Sequence, residues 1–244
     1  MAISIKQGLI PSYEHERLES LKPYQVLGTP GQELFNDLVS VVAKLLDAPI
    51  ALISLVRAND VVFVGNQGLP EATIVDRDDS MCSVALLQEG LTVFEDVATE
   101  PCALVNPFVA QHLRLGFYAG QSLKSPSGLP IGSLCVMDRK PRQLTAAEGS
   151  LLQQLALVAQ DLLQLQAQQE PGQTQTPAVR ARLDGPLQQS LTRLTTLAEL
   201  RAFDLTSDAA DADRYTASRL DEASYLAQSL HRELQASLRE LETR

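Results

Sequence analysis

Three cysteines and three histidines hold most of the latent chemistry of this chain of 244 residues. A thiolate at Cys82, Cys102 or Cys135 could act as a nucleophile or be oxidised, and an imidazole could move a proton or bind a metal. The cysteines are odd in number and form no close pair in sequence, which suits neither a disulfide framework nor a zinc site. They read as free thiols in a reducing compartment. No Ser-His-Asp set, paired carboxylates or glycine-rich phosphate loop accompanies them. The residues alone therefore point away from an enzyme and assign no metal.

The elements that must position these residues follow from periodicity. A short apolar stripe at Leu18, Leu21 and Tyr24 predicts a helix that Pro23 ends or kinks. A second helix is expected over 32–46, where Leu34, Phe35, Leu38, Val41, Val42, Leu45 and Leu46 share a broad face. Ile50 to Val56 is a β-branched run suited to a strand buried on both faces, and Asn59-Asp60 supplies a hairpin turn into a partner strand. Ser80 is placed to cap a short helix before Gly90. A strand LTVFEDV comes next, then a long connection over 98–112, then strands GFYAGQSLKS and PIGSLCVMD around a Pro126-Ser127-Gly128 turn. Thr145, with Glu148 three residues on, forms a capping box for a long helix to Gln169.

QEPGQTQTP then marks a boundary, so the expected organisation is a domain over 1–169, a polar linker over 170–184 and a helical arm over 185–244. In the arm, Asp184 is expected to cap a helix opening at Gly185-Pro186, with Leu187, Leu191, Leu194 and Ala198 at helical spacing. After a break over 204–213, Leu220, Ala223, Ala227, Leu230, Leu234, Ser237 and Leu241 alternate at threes and fours. Two such stripes need a partner surface. The expectation is that two hairpins pair into a four-helix bundle, with Leu191, Leu194, Leu230 and Leu234 as the central layers of a homodimer.

A formal net charge of −10 and the restriction of all lysines to positions before 141 argue against nucleic acid, which calls for clustered basic side chains. No apolar run approaches the roughly 18 residues of a membrane helix, and the N-terminus lacks a secretory pattern, so no membrane partner and a cytoplasmic location are expected.

Four strings, in order, resemble the GAF family of bacterial signalling proteins: SMCSVAL at 80–86, NPFV at 106–109, FYAGQSL at 117–123 and GSLCVMDRKPRQLT at 132–145. The opening ERLESLKPYQVLGTP extends the likeness, which spans Glu14 to Leu165. The resemblance implies an α+β fold, an antiparallel sheet of five or six strands flanked by helices, to which the C-terminal helical hairpin is added. It also implies a pocket between the sheet and residues 80–112, bordered by Met81, Cys82, Val84, Asn106 and Phe108, with Phe117 and Tyr118 facing it from the sheet.

Alternation along a strand lets only one of Phe117 and Tyr118 point inward. Two readings of these aromatics stand: they complete a core, or they contact a ligand. Asn106 either caps the turn before Pro107 or orients that ligand. The Asn-Lys, Phe, Asp-Glu signature of cyclic-nucleotide-binding members is absent, and neither Cys82 nor Cys102 has the adjacent His of bilin-binding members. No cofactor is assigned; His112, in the long connection, is the candidate axial ligand for a haem.

The reading is a non-catalytic sensory or regulatory protein in signal transduction, binding an unknown small molecule or a downstream signalling protein and dimerising through its arm. The resemblance also carries two alternatives. Free methionine-(R)-sulfoxide reductases share the fold and would use a thiolate such as Cys82, with Cys102 resolving the sulfenic acid and Cys135 inert in its strand. QSLHRELQASL resembles the phosphoaccepting helix of histidine kinases, with His231 as acceptor; the bland alternative is a His facing solvent.

Overall fold

The computed structural model describes residues 7–24, 33–168, 177–204 and 209–242. Six strands form one antiparallel sheet: β1 Ile50–Val56, β2 Asp60–Gln67, β3 Ile74–Asp76, β4 Leu91–Phe94, β5 Phe117–Lys124 and β6 Pro130–Asp138. Their spatial order is β3-β2-β1-β6-β5-β4. The hydrophobic β1 run lies between β2 and β6 and is buried along its whole length, as a strand covered on both faces must be. β3 falls in a stretch that reads as polar loop. Only three residues long and at the sheet edge, it leaves too little alternation to detect.

Period-2 alternation sorts the side chains into two layers. Ala51, Ile53, Leu55, Phe117, Ala119, Leu134 and Val136 meet the helices α2 (Glu33–Leu45) and α5 (Ala146–Ala167). Leu52, Val56, Tyr118, Cys135 and Met137 face the opposite layer. That layer holds the short helix α3 (Cys82–Ala85) and the loops around α4 (Pro107–His112). The expected capping box closes α5: Thr145 Oγ1 accepts from the Glu148 N–H at 3.2 Å, and the Glu148 carboxylate accepts from the Thr145 N–H at 2.9 Å.

On the far side of α2 and α5 lie α6 (Pro177–Asp204) and α7 (Ala209–Glu242). α2 meets α6, α6 meets α7, and α7 meets α5, so the four helices close a ring within one chain. The four-helix arrangement expected of a dimer is thus completed by two helices of the sheet domain. Leu191, Leu194, Leu230 and Leu234 are at most 5% exposed in the single chain and belong to the same continuous core as α2 and α5. Their stripes are already covered, so no second copy is needed to bury them. Burying each leucine is worth about 1.5–3 kcal/mol.

α6 begins at Pro177, not at Gly185, and runs through Asp184, Gly185 and Pro186. Residues 177–184 therefore continue the arm instead of forming linker, and Asp184 is not its cap. Pro177 occupies the first helical position, where proline's missing N–H costs nothing. In α7, Leu226 and Leu238 join the buried stripe, while Ser237 is only partly buried. The side chain of Leu241 and the Pro171-Gly172 break lie outside the described residues.

Candidate functional site

The site starts from an ion-pair cluster at one end of the sheet. α1 (Glu14–Leu21) sets Glu14 between two fully buried guanidiniums, Arg17 at 2.7 Å and Arg77 at 2.5 Å. Arg17 also donates to the Val56 carbonyl at 2.8 Å, and Arg77 to the Leu9 carbonyl at 2.7 Å. Burial raises the Glu14 pKa, but hydrogen bonds from Arg17 and Arg77 outweigh it and hold the carboxyl below its ordinary value. The cluster fixes the 3-10 turn Arg77–Asp79, which opens the SMCSVAL segment. Ser83 Oγ donates to the Arg77 carbonyl at 2.8 Å, and Ser80 Oγ accepts from the Cys82 N–H at 3.2 Å; Ser80 thus stands one residue before the N-cap of α3, which is Met81 and not the expected serine.

So held, Cys82 lies on β6, with its Sγ 3.6 Å from the Sγ of Cys135. Both thiols are buried. Cysteines 53 residues apart in sequence are neighbours in space, so Cys82 has a thiol partner that sequence spacing did not reveal. The sulfur beside Cys82 is that of Cys135; Cys102 lines a neighbouring cavity. Ser54 and Ser133, paired across β1 and β6, bring their hydroxyls within 3.0 Å of one another. The Cys82 thiol is pulled down to about 6, chiefly by its hydrogen bond with Cys135, with help from Ser133, Ser54 and Ser80 against the opposing effect of burial. The same hydrogen bond, with burial, pushes Cys135 well up.

Tyr118 completes this polar floor. Its ring makes an edge contact with Phe94 at 6.5 Å, and its hydroxyl lies over Gly120, where an added Cβ would stand 2.4 Å from the hydroxyl oxygen. Only glycine at 120 leaves room for it. The Tyr118 hydroxyl, Thr92 Oγ1 and Ser122 Oγ are buried without a hydrogen-bond partner among the described residues. Unsatisfied buried polar atoms are rare, and three on one face of a sheet form an unusual concentration.

Next to this floor opens a cleft of about 710 Å³, within the size range of small-molecule sites. Leu52, Phe63 and Met137 form its base and Leu69, Ala110 and Leu115 its walls. The polar groups that reach it include Asp79, Ser80, Cys82, Gln111 and His112. Across Met81 and Val105 lies a second cavity of about 430 Å³, bordered by Cys102, Asn106, Arg114 and Arg139.

The expected site residues divide accordingly. Met81 and Cys82 line the main cleft. Val84 is buried in the core beneath it. Asn106 borders the second cavity, and its Nδ2 donates to Asp79 Oδ1 at 3.0 Å while its N–H donates to the Asp78 carbonyl at 2.8 Å, tying the long connection to the 3-10 turn. Phe108 lies in α4, with its side chain outside the described residues. Tyr118 faces the cleft layer, whereas Phe117 points to the helices and stacks under Arg142 at 5.2 Å. Its expected place at the pocket is corrected by strand alternation. His112 is exposed at the cleft. The sequence reading missed Ser54, Ser133, Gly120 and the base of the cleft, which come together only through cross-strand register.

On the other side of the sheet, Asp161 of α5 is fully buried, and its carboxylate accepts from His231 Nδ1 at 2.5 Å and from Gln235 Nε2 at 2.6 Å. Burial raises the Asp161 pKa despite these partners. His231 is therefore not a free solvent-facing residue, since its Nδ1 is engaged by Asp161.

The family model described as GAF domain matches residues 30–160. A cyclic di-GMP phosphodiesterase of Pseudomonas aeruginosa is 34% identical over 132 residues, which are 54% of this chain and 22% of that protein. The chain thus matches about a fifth of that relative's length. Among solved structures, the GAF domain from an Acinetobacter phosphoenolpyruvate-protein phosphotransferase aligns with a TM-score of 0.46 at 15% identity, covering 62% of this chain and 94% of that one. A free methionine-R-sulfoxide reductase from Neisseria meningitidis aligns with a TM-score of 0.47 at 16% identity, covering 69% and 97%.

Proposed function

The chain belongs to the GAF family, and from that premise we propose that it is a non-catalytic sensory module of signal transduction whose cleft takes a small, largely apolar molecule. One observation carries the reading: a cleft of about 710 Å³ with an apolar base and walls and polar groups at a few points. Apolar walls supply binding energy, and Ser80, Cys82 and Gln111 orient a polar end. The partial match to a phosphodiesterase supports a regulatory role; that protein's activity is not carried over, because the match spans 22% of it.

Output runs through the sheet into α5, which shares the core with β5 and β6 on one side and with α7 on the other. A shift of β6, which bears Cys135 and Met137, reaches α7 through this packing and through the Asp161–His231 bond. A downstream signalling protein, or a second copy of the chain, would read the outer face of α7, where Tyr215 and Tyr225 are exposed. The test is native mass spectrometry of protein purified without denaturation, beside an Ala110→Trp variant that fills the cleft. The reading expects a retained small molecule in the parent and none in the variant. An empty parent that also binds nothing from a metabolite extract would end it.

A further inference from the structure

Two thiols with sulfurs 3.6 Å apart need to close by only about 1.5 Å to reach the disulfide length of about 2.05 Å. They are not equivalent. Cys82 borders the cleft and Cys135 does not, so a molecule in the cleft meets Cys82 first. We propose that Cys82 and Cys135 form an oxidation site for an organic hydroperoxide, with Cys82 the thiol that attacks the peroxide and Cys135 the resolving one.

In the first step the Cys82 sulfur attacks the terminal oxygen of the hydroperoxide. The O–O bond breaks, a sulfenic acid forms on Cys82, and the alkoxide leaves as the alcohol with the proton that Cys82 gave up. In the second step the Cys135 sulfur attacks the sulfenic sulfur. The S–S bond forms, the S–O bond breaks, and the hydroxyl leaves as water with the Cys135 proton. The two sulfurs lose two electrons in all, and the peroxide takes them up.

The surroundings favour this order. Their mutual hydrogen bond lowers the Cys82 thiol and, with burial, raises that of Cys135, so Cys82 gives up its proton the more readily of the two and Cys135 keeps its own until the second step. Ser80 fixes the Cys82 backbone, and Cys135 is held in the centre of the sheet between Leu52 and Gly120. The base of the cleft, formed by Leu52, Phe63 and Met137, suits an alkyl or aryl tail, which selects an organic hydroperoxide over hydrogen peroxide. Disulfide closure would draw α3 toward β6 and so move the wall of the same cleft. The hydroperoxide enters the cleft read above as a ligand site, so the reaction is followed in protein whose cleft native mass spectrometry shows to be empty.

The test treats the full chain with equimolar cumene hydroperoxide or hydrogen peroxide, blocks free thiols and maps peptides without reduction. The expected result is a linked peptide joining Cys82 to Cys135, formed several-fold faster with cumene hydroperoxide. In Cys135→Ser protein a dimedone adduct should accumulate on Cys82, and in Cys82→Ser protein Cys135 should stay reduced. Oxidation confined to Cys102, or equal oxidation of Cys135 without Cys82, would overturn the site. Faster reaction with hydrogen peroxide would overturn the assignment of an organic oxidant. The parent protein alone decides the linkage if either variant fails to fold.

Discussion

Replacing Leu194 by alanine separates an arm that docks on its own chain from one that docks on a partner. Leu194 is fully buried in the ring formed by α2, α5, α6 and α7. Truncating such a leucine costs about 2–5 kcal/mol, the spread reflecting how far the site collapses. The upper half of that range is expected, because Leu191, Leu230 and Leu234 share the core from two helices and limit collapse. The assay is urea unfolding of parent and Leu194→Ala protein at two concentrations a hundredfold apart. Docking in cis predicts the full loss and a midpoint that ignores concentration. An obligate dimer built on these leucines would instead gain about 2.7 kcal/mol across that range. A concentration-dependent midpoint, or a loss below about 1 kcal/mol, would refute the packing described above.

Two further predictions concern buried charge. Glu14 is held below its ordinary 4.5, so its contribution is present above that value and disappears as pH falls through the lower folded value. Glu14→Gln should cost about 1–2 kcal/mol at neutral pH, with the gap from the parent closing in acid; a gap that widens in acid would contradict this. Asp161 has the opposite sign: its carboxyl is raised above 3.8, so the folded state binds its proton more tightly and stability falls as pH rises from 3.8 through the raised value. Asp161→Asn removes that loss, and chemical denaturation should show the variant gaining on the parent as pH increases; a parent that gains instead would contradict the assignment.

Much of the sheet domain was legible in the sequence because its signals are local. β1 is a nearly uninterrupted apolar run, and the Thr145 and Glu148 spacing specifies its own helix start. What escaped depends on distance along the chain. Cys82 and Cys135 are brought together by β6 pairing with β1 and β5 and by α3 lying across them, none of which leaves a mark in residue spacing. Phe117 and Tyr118 show the limit of alternation: it requires opposite faces but not which residue takes which. The arm's stripes announced a partner surface correctly, yet nothing in a stripe tells whether that surface is another copy or the back of α2 and α5. Asp161 did carry a signal, a lone acid within LALVAQDLLQL, and its partners lie 70 and 74 residues away.

The central claim, that the cleft beneath Met81 and Ala110 is a ligand site, is tested most directly by calorimetric titration of ligand-free protein with the molecule recovered from the native preparation. Parent and Ala110→Trp protein would be compared at equal thermal stability, since Ala110 is only partly buried and the indole can enter the cleft without displacing core. The account predicts saturable binding with a negative heat-capacity change in the parent, as burial of apolar surface requires, and no measurable heat in the variant. Equal binding by the two proteins would contradict it, because the molecule would then sit somewhere other than this cleft.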